Sequence, residues 1–124
     1  MNTERRERWQ EPVSGTGEVR AWLADEARDH LVEGTVGLYE FLWWLDCSRF
    51  ELEAALVRDL ARQLAARLVR DGTARLYRIA WPTYQVVAGP LPASVLDQDD
   101  AWHGGREFVA LVPVVQGESG GTTA

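Results

Sequence analysis

Leu38-Tyr39-Glu40-Phe41-Leu42-Trp43-Trp44-Leu45 and Arg70-Asp71-Gly72-Thr73-Ala74-Arg75-Leu76-Tyr77-Arg78-Ile79 lie near the two ends of the stretch Thr35–Trp81, whose reading decides the fold. The first run is apolar almost all round, with Glu40 as its one acid. It predicts a central, buried helix that starts at the N-cap candidate Thr35 and ends near Leu45. Between the two runs, Leu52, Leu56, Leu60, Leu64 and Leu68 recur at helical spacing with alanines beside them. That stripe predicts an amphipathic helix over 49–70, and Ser48 with Glu51 has the spacing of a capping box. Asp71-Gly72 stops the helix, and the alternation from Thr73 to Ala80 predicts a strand. Helix, helix, hairpin is the ground plan of a winged-helix domain.

The reading extends outward from there. Val19, Trp22, Leu23, Ala27 and Leu31 predict a first helix from Glu18 to Val32, stopped by Gly34. Trp81-Pro82-Thr83 predicts a turn and Tyr84–Ala88 the returning strand, with Gly89-Pro90 as its breaker. A short helical turn is expected over Leu91–Leu96. A last strand is expected over Arg106–Val115, with Pro113 at an edge or strand end. The fold class is therefore α+β: three helices packed on a small antiparallel sheet, winged-helix-like. Residues 1–17 read as a flexible lead, 18–115 as a single globular domain and 116–124 as a flexible tail.

The chain has 124 residues, 46% of them apolar and 26% charged, which suits one globular core without cross-links. Cys47 is the only cysteine, so no intrachain disulfide can form. Met1–Gln10 lacks an apolar signal core and no apolar run approaches a membrane span, so a cytoplasmic protein is expected. All 13 basic residues are arginine and the net charge is −6. An acidic protein is repelled by nucleic acid and anionic membrane unless its charge is segregated. Residues 49–80 do segregate it, with 7 Arg against 4 acids.

Arg58, Arg62, Arg67, Arg70, Arg75 and Arg78 are the chief electropositive feature of that segment. A basic helix with a basic hairpin can meet phosphates. Yet Arg67 points roughly opposite Arg58 at about 100° per residue, so the charges spread around the helix. Glu51 and Glu53 also put acid at the helix end that typically reads bases. Asp97, Asp99, Asp100 and His103 surround Trp102 but lack the glycine-centred spacing of a calcium loop, and they read as a solvated turn. His30 reads as a packed or rim histidine. Cys47 follows Asp46, whose carboxylate disfavours a thiolate, so it reads as a structural thiol. The glycines at 15–17 and 104–105 are turns, since no Lys-Ser or Lys-Thr pair follows them. Glu40 is the best candidate for a semi-buried acid, paired with an arginine of a neighbouring element. No catalytic, metal or cofactor-binding residue is assigned.

Leu38 to Trp43, Leu68 to Arg78, and Leu96-Asp97 through Trp102 to Phe108–Val112 resemble small uncharacterised bacterial proteins of winged-helix-like type. The resemblance covers roughly residues 36–115 and implies a fold but no activity. From the acidic balance, the six tryptophans and the missing chemistry, a non-enzymatic protein-binding factor is expected: a regulator, inhibitor or immunity-type protein. Its partner would be a protein, basic in character, met by Trp81, Tyr84 and Trp102. Trp81, beside Pro82 at the hairpin turn, is the preferred anchor. The competing expectation is a winged-helix DNA-binding regulator that uses Arg58, Arg62, Arg75 and Arg78.

Overall fold

The computed structural model describes residues 12–114, with side chains from residue 17 onward. The expected lead up to residue 11, with Trp9, and the expected tail lie outside the described residues. The first helix, α1 (Pro12–Glu33), starts upstream of the expected Glu18. Pro12 stands at its first position, where a fixed φ and a missing N–H cost nothing. Gly15 and Gly17 lower helix propensity without breaking the hydrogen-bond ladder. A two-residue strand, β1 (Val36–Gly37), follows, then α2 (Leu38–Asp46) and α3 (Ala54–Arg70). The sheet is completed by β2 (Ala74–Ala80), β3 (Gln85–Leu91) and β4 (Glu107–Pro113). Two short 3₁₀ turns, Ala93–Asp97 and Asp99–Trp102, bridge β3 to β4. The α+β class is as expected.

All strand pairs are antiparallel, in the order β1-β4-β2-β3. The last strand in sequence is therefore central: β4 pairs β1 through Val36–Leu111 and β2 through Leu76–Leu111. One sheet face packs on the helices. Ala74 and Leu76 of β2 and Val109 and Leu111 of β4 join Leu23 and Leu31 of α1, Phe41 and Leu45 of α2, and Leu60, Leu64 and Leu68 of α3. Burying such a side chain contributes roughly 1.5–3 kcal/mol. The opposite face carries a second cluster of Ile79, Phe108 and Ala110, flanked by Tyr39, Tyr77 and Val112. Strand alternation produces both clusters from the same two strands.

Three local expectations are corrected. Gly37, not Thr35, caps α2: Glu40 Oε2 accepts the Gly37 N–H at 2.8 Å, so Glu40 serves its own helix, and no arginine among the described residues pairs with it. Glycine has no side chain to return the bond, so this is half a capping box. Nor is α2 buried all round, because Trp43 is 61% exposed and only Leu38, Phe41 and Leu45 are fully buried. Finally, α3 starts at Ala54, with 50–53 outside any helix and Glu53 in extended backbone at the N-cap. Ser48 Oγ donates to Leu45 O at 2.7 Å and accepts the Phe50 N–H at 3.2 Å, so it closes α2 instead of opening α3. This turn directs Phe50 into the core, 5.8 Å from the Trp22 ring. A residue of that size gains more from burial than from another turn of helix.

The hairpin also departs from expectation. β3 runs through Gly89-Pro90, so the dipeptide interrupts the register without ending the strand. An outermost strand tolerates proline at such a break in the register. Gly89 has φ 128° and lies against Tyr77 and the Leu76 carbonyl, a position open to glycine alone.

Candidate functional site

The sheet face turned away from the helices carries a row of aromatic rings. Tyr39 meets Phe108 edge-on at 5.5 Å, Phe108 meets Tyr84 at 5.8 Å, and Tyr84 meets Trp81 at 6.0 Å. These spacings are those of favourable T-shaped pairs. The row begins buried and ends in solvent: Phe108 is 3% exposed, Tyr84 43% and Trp81 56%. Val86 faces Ile79 across the hairpin, and Ile79 faces Phe108 across the next pair, so a continuous apolar band crosses the sheet. Val86 and Val87 are themselves exposed, at 57% and 48%. Val87 is the extra residue of a bulge, since Val86 and Ala88 pair the consecutive residues Ile79 and Arg78.

Two elements hold the inner end of the row. Gly37 and Gly104 make room for the Tyr39 ring; a Cβ at Gly37 would fall 2.5 Å from Tyr39 Cε1. Burial, then the Glu40 carboxylate and Tyr84, push the Tyr39 phenol above its ordinary value. The folded pKa is raised, so stability from neutral Tyr39 is fully present below the unfolded value of about 10 and is lost as pH rises through the folded one. A spectrophotometric titration of phenolate absorbance is therefore expected to show a late-titrating group that Tyr39→Phe abolishes. Persistence of that group in the variant would contradict the environment described.

Trp81 and Tyr84 thus lie exposed and adjacent, but the third expected contact residue does not join them. Trp102 is 1% exposed, and its indole N–H donates to Leu96 O at 2.8 Å. The Arg58 guanidinium sits 5.3 Å from the ring centroid. Trp102 is a core residue because the two 3₁₀ turns fold the acidic segment back onto α3. Asp99 and Asp97 then bridge Arg58 at 3.1 Å and Arg62 at 3.8 Å. Asp97, Asp99, Asp100 and His103 are exposed, as expected of a solvated turn, and the first two form a charged clasp over the buried tryptophan.

The four arginines of the nucleic-acid alternative are not brought together. Arg58 and Arg62 are engaged by the clasp and by Asp59. Arg75 is exposed on the outer sheet face, whereas Arg78 lies half-buried on the helix face, as the odd spacing along β2 requires. A different arginine set does share one place. Arg20 of α1 and Arg62, Arg67 and Arg70 of α3 line a groove of about 380 Å³ between the two helices. Arg20 was missed in the sequence because it lies in an acidic segment, far along the chain from the others. The i, i+3, i+4, i+7 spacing of Gln63, Ala66, Arg67 and Arg70 is the signal that could have found the α3 side.

The remaining candidates stay apart from both places. Cys47, the expected structural thiol, is exposed at the C-cap of α2. His30 is a rim residue, stacked on Trp44 at 4.5 Å. Among the described residues no group of three His, Cys, Asp or Glu could hold a metal ion, and no helix is long and apolar enough to cross a membrane. No protein-family model matches the chain, and no curated protein or solved structure matches it either.

Proposed function

We propose that this chain is a non-enzymatic, cytoplasmic protein-binding factor, a regulator, inhibitor or immunity-type protein on a winged-helix-like frame. Its contact surface is the outer face and free edge of the β2–β3 hairpin. The observation that carries this reading is the exposure of Trp81 and Tyr84 in the hairpin turn beside Val86 and Val87 on the edge strand. Natural edge strands are usually guarded by charged side chains, yet Gln85–Leu91 has none and relies on Pro90 and a bulge. An exposed aromatic beside an apolar edge suits an anchor that fills a partner's pocket while the partner's strand extends the sheet. The net charge of −6 favours a basic partner. Arg58, Arg62, Arg75 and Arg78 are not brought together, which leaves nucleic acid as the weaker reading, with salt-sensitive binding and no sequence preference.

Photo-cross-linking in cells tests the surface. A benzophenone amino acid at Val86 should yield a discrete protein adduct, and the same group at exposed Asp29 of α1 should not. Equal adducts at both positions, or an adduct with nucleic acid at Val86, would overturn the proposal.

A further inference from the structure

We infer that the groove between α1 and α3 is a binding site for a phosphate monoester with an apolar body. The helices meet here over small residues, Ala24 and Ala66, and the space left between them is about 380 Å³. That lies within the roughly 300–1,000 Å³ of small-molecule sites. Ala66 is half-buried at the floor, with the buried Leu23 and Leu64 beside it, and four guanidinium groups supply the rest.

The charges of those four are unequally answered. Arg62 has Asp59 at 3.3 Å and Asp97 at 3.8 Å, and Arg67 has Asp71 at 3.8 Å. Arg20 has no carboxylate within ion-pair distance among the described residues, and neither has Arg70. Arg20 and Arg70, exposed and without an ion-pair partner among the described residues, leave the groove with a local positive potential that attracts an anion. A phosphate monoester is close to a dianion near neutral pH, and guanidinium matches its oxygens geometrically.

Arg20 is also held in place. Its Nη1 donates to Gln63 Oε1 at 2.5 Å, and Gln63 Nε2 donates to Asp59 Oδ2 at 2.8 Å. Asp59 thus orients the neutral amide that holds Arg20 and also pairs Arg62. The head group would meet Arg20 and Arg70, and the apolar body would rest on the floor at Ala66. This site shares no residue with the hairpin surface, so either can fail without the other.

Phenyl phosphate, benzoate and inorganic phosphate are the probes, and the readout is two-dimensional NMR of arginine Nε–Hε and backbone amide signals. Phenyl phosphate should give saturable shifts at Arg20, Arg70, Ala24 and Ala66. Benzoate, a monoanion, and inorganic phosphate, which lacks the ring, should each bind at least about tenfold more weakly. Arg20→Ala and Arg70→Ala should each weaken phenyl phosphate about tenfold, Gln63→Ala less, and Arg78→Ala not at all. The melting curve of each variant checks its fold. Three results would overturn the site: no saturable shift up to about 10 mM, shifts spread over all exposed arginines, or equal binding of benzoate and phenyl phosphate.

Discussion

Trp102→Ala is expected to lower the unfolding free energy by about 3–5 kcal/mol, the largest single-residue loss in the domain. The indole is 1% exposed and sits where α2, α3, the two 3₁₀ turns and β4 converge. Truncation would leave a void and strip Leu96 O of its 2.8 Å partner. It would also remove the ring beneath Arg58, whose bridge to Asp99 closes the clasp. Trp102→Phe keeps most of the volume and loses the N–H bond, so it should cost less, about 1–3 kcal/mol for the unpaired carbonyl. Urea unfolding followed by far-UV circular dichroism measures both. A loss under about 0.5 kcal/mol for Trp102→Ala, the range of ordinary surface changes, would contradict the packing described.

Gly89→Ala comes next. A Cβ there would lie 2.7 Å from Tyr77 Cδ2 and 3.0 Å from Leu76 O, and the backbone is at φ 128°. Backbone strain alone costs about 1–3 kcal/mol, and the carbonyl cannot move without disturbing the β2–β4 ladder. Hydrogen exchange should show faster opening of β3 before that of β4. Gly72→Asn is the comparison: φ is 79°, nothing lies within 4 Å, and asparagine tolerates left-handed backbone, so the change should be much milder. Equal effects of the two substitutions would mean that the Gly89 contacts carry no constraint.

The elements legible in the sequence were those with sustained periodicity. The leucine stripe of α3 and the alternation of β2 each have one face in the core, so burial is written into their spacing. The misread elements lack such a record. β1 has two residues, too few for any period, and exists because β4 offers Val36 and Gly37 a partner from the other end of the chain. The placement of Phe50 in the core ended the apparent helical run of 49–53, a tertiary effect invisible to local propensity. Trp43 and Trp102 show the same limit from opposite sides. A tryptophan inside an apolar run is 61% exposed, and one inside an acidic run is 1% exposed.

The candidate surface was half legible. Trp81 and Tyr84 could be placed at a hairpin turn, where a core is hard to reach. Val86 and Val87 could not, because their exposure follows from β3 being the outermost strand, a fact of sheet order. The arginine groove depends likewise on α1 meeting α3, which spacing along one helix does not reveal.

The most direct test of the central claim is the affinity of the partner cross-linked through Val86, measured by titration calorimetry against wild type, Trp81→Ala and Arg75→Ala. The hairpin surface predicts a loss of about tenfold or more for Trp81→Ala, about 1.4 kcal/mol or greater, with an unchanged melting temperature. Arg75→Ala, on the same sheet face but outside the apolar band, should stay within about threefold. Wild-type affinity in Trp81→Ala, or a larger loss in Arg75→Ala, would contradict an anchor on the hairpin.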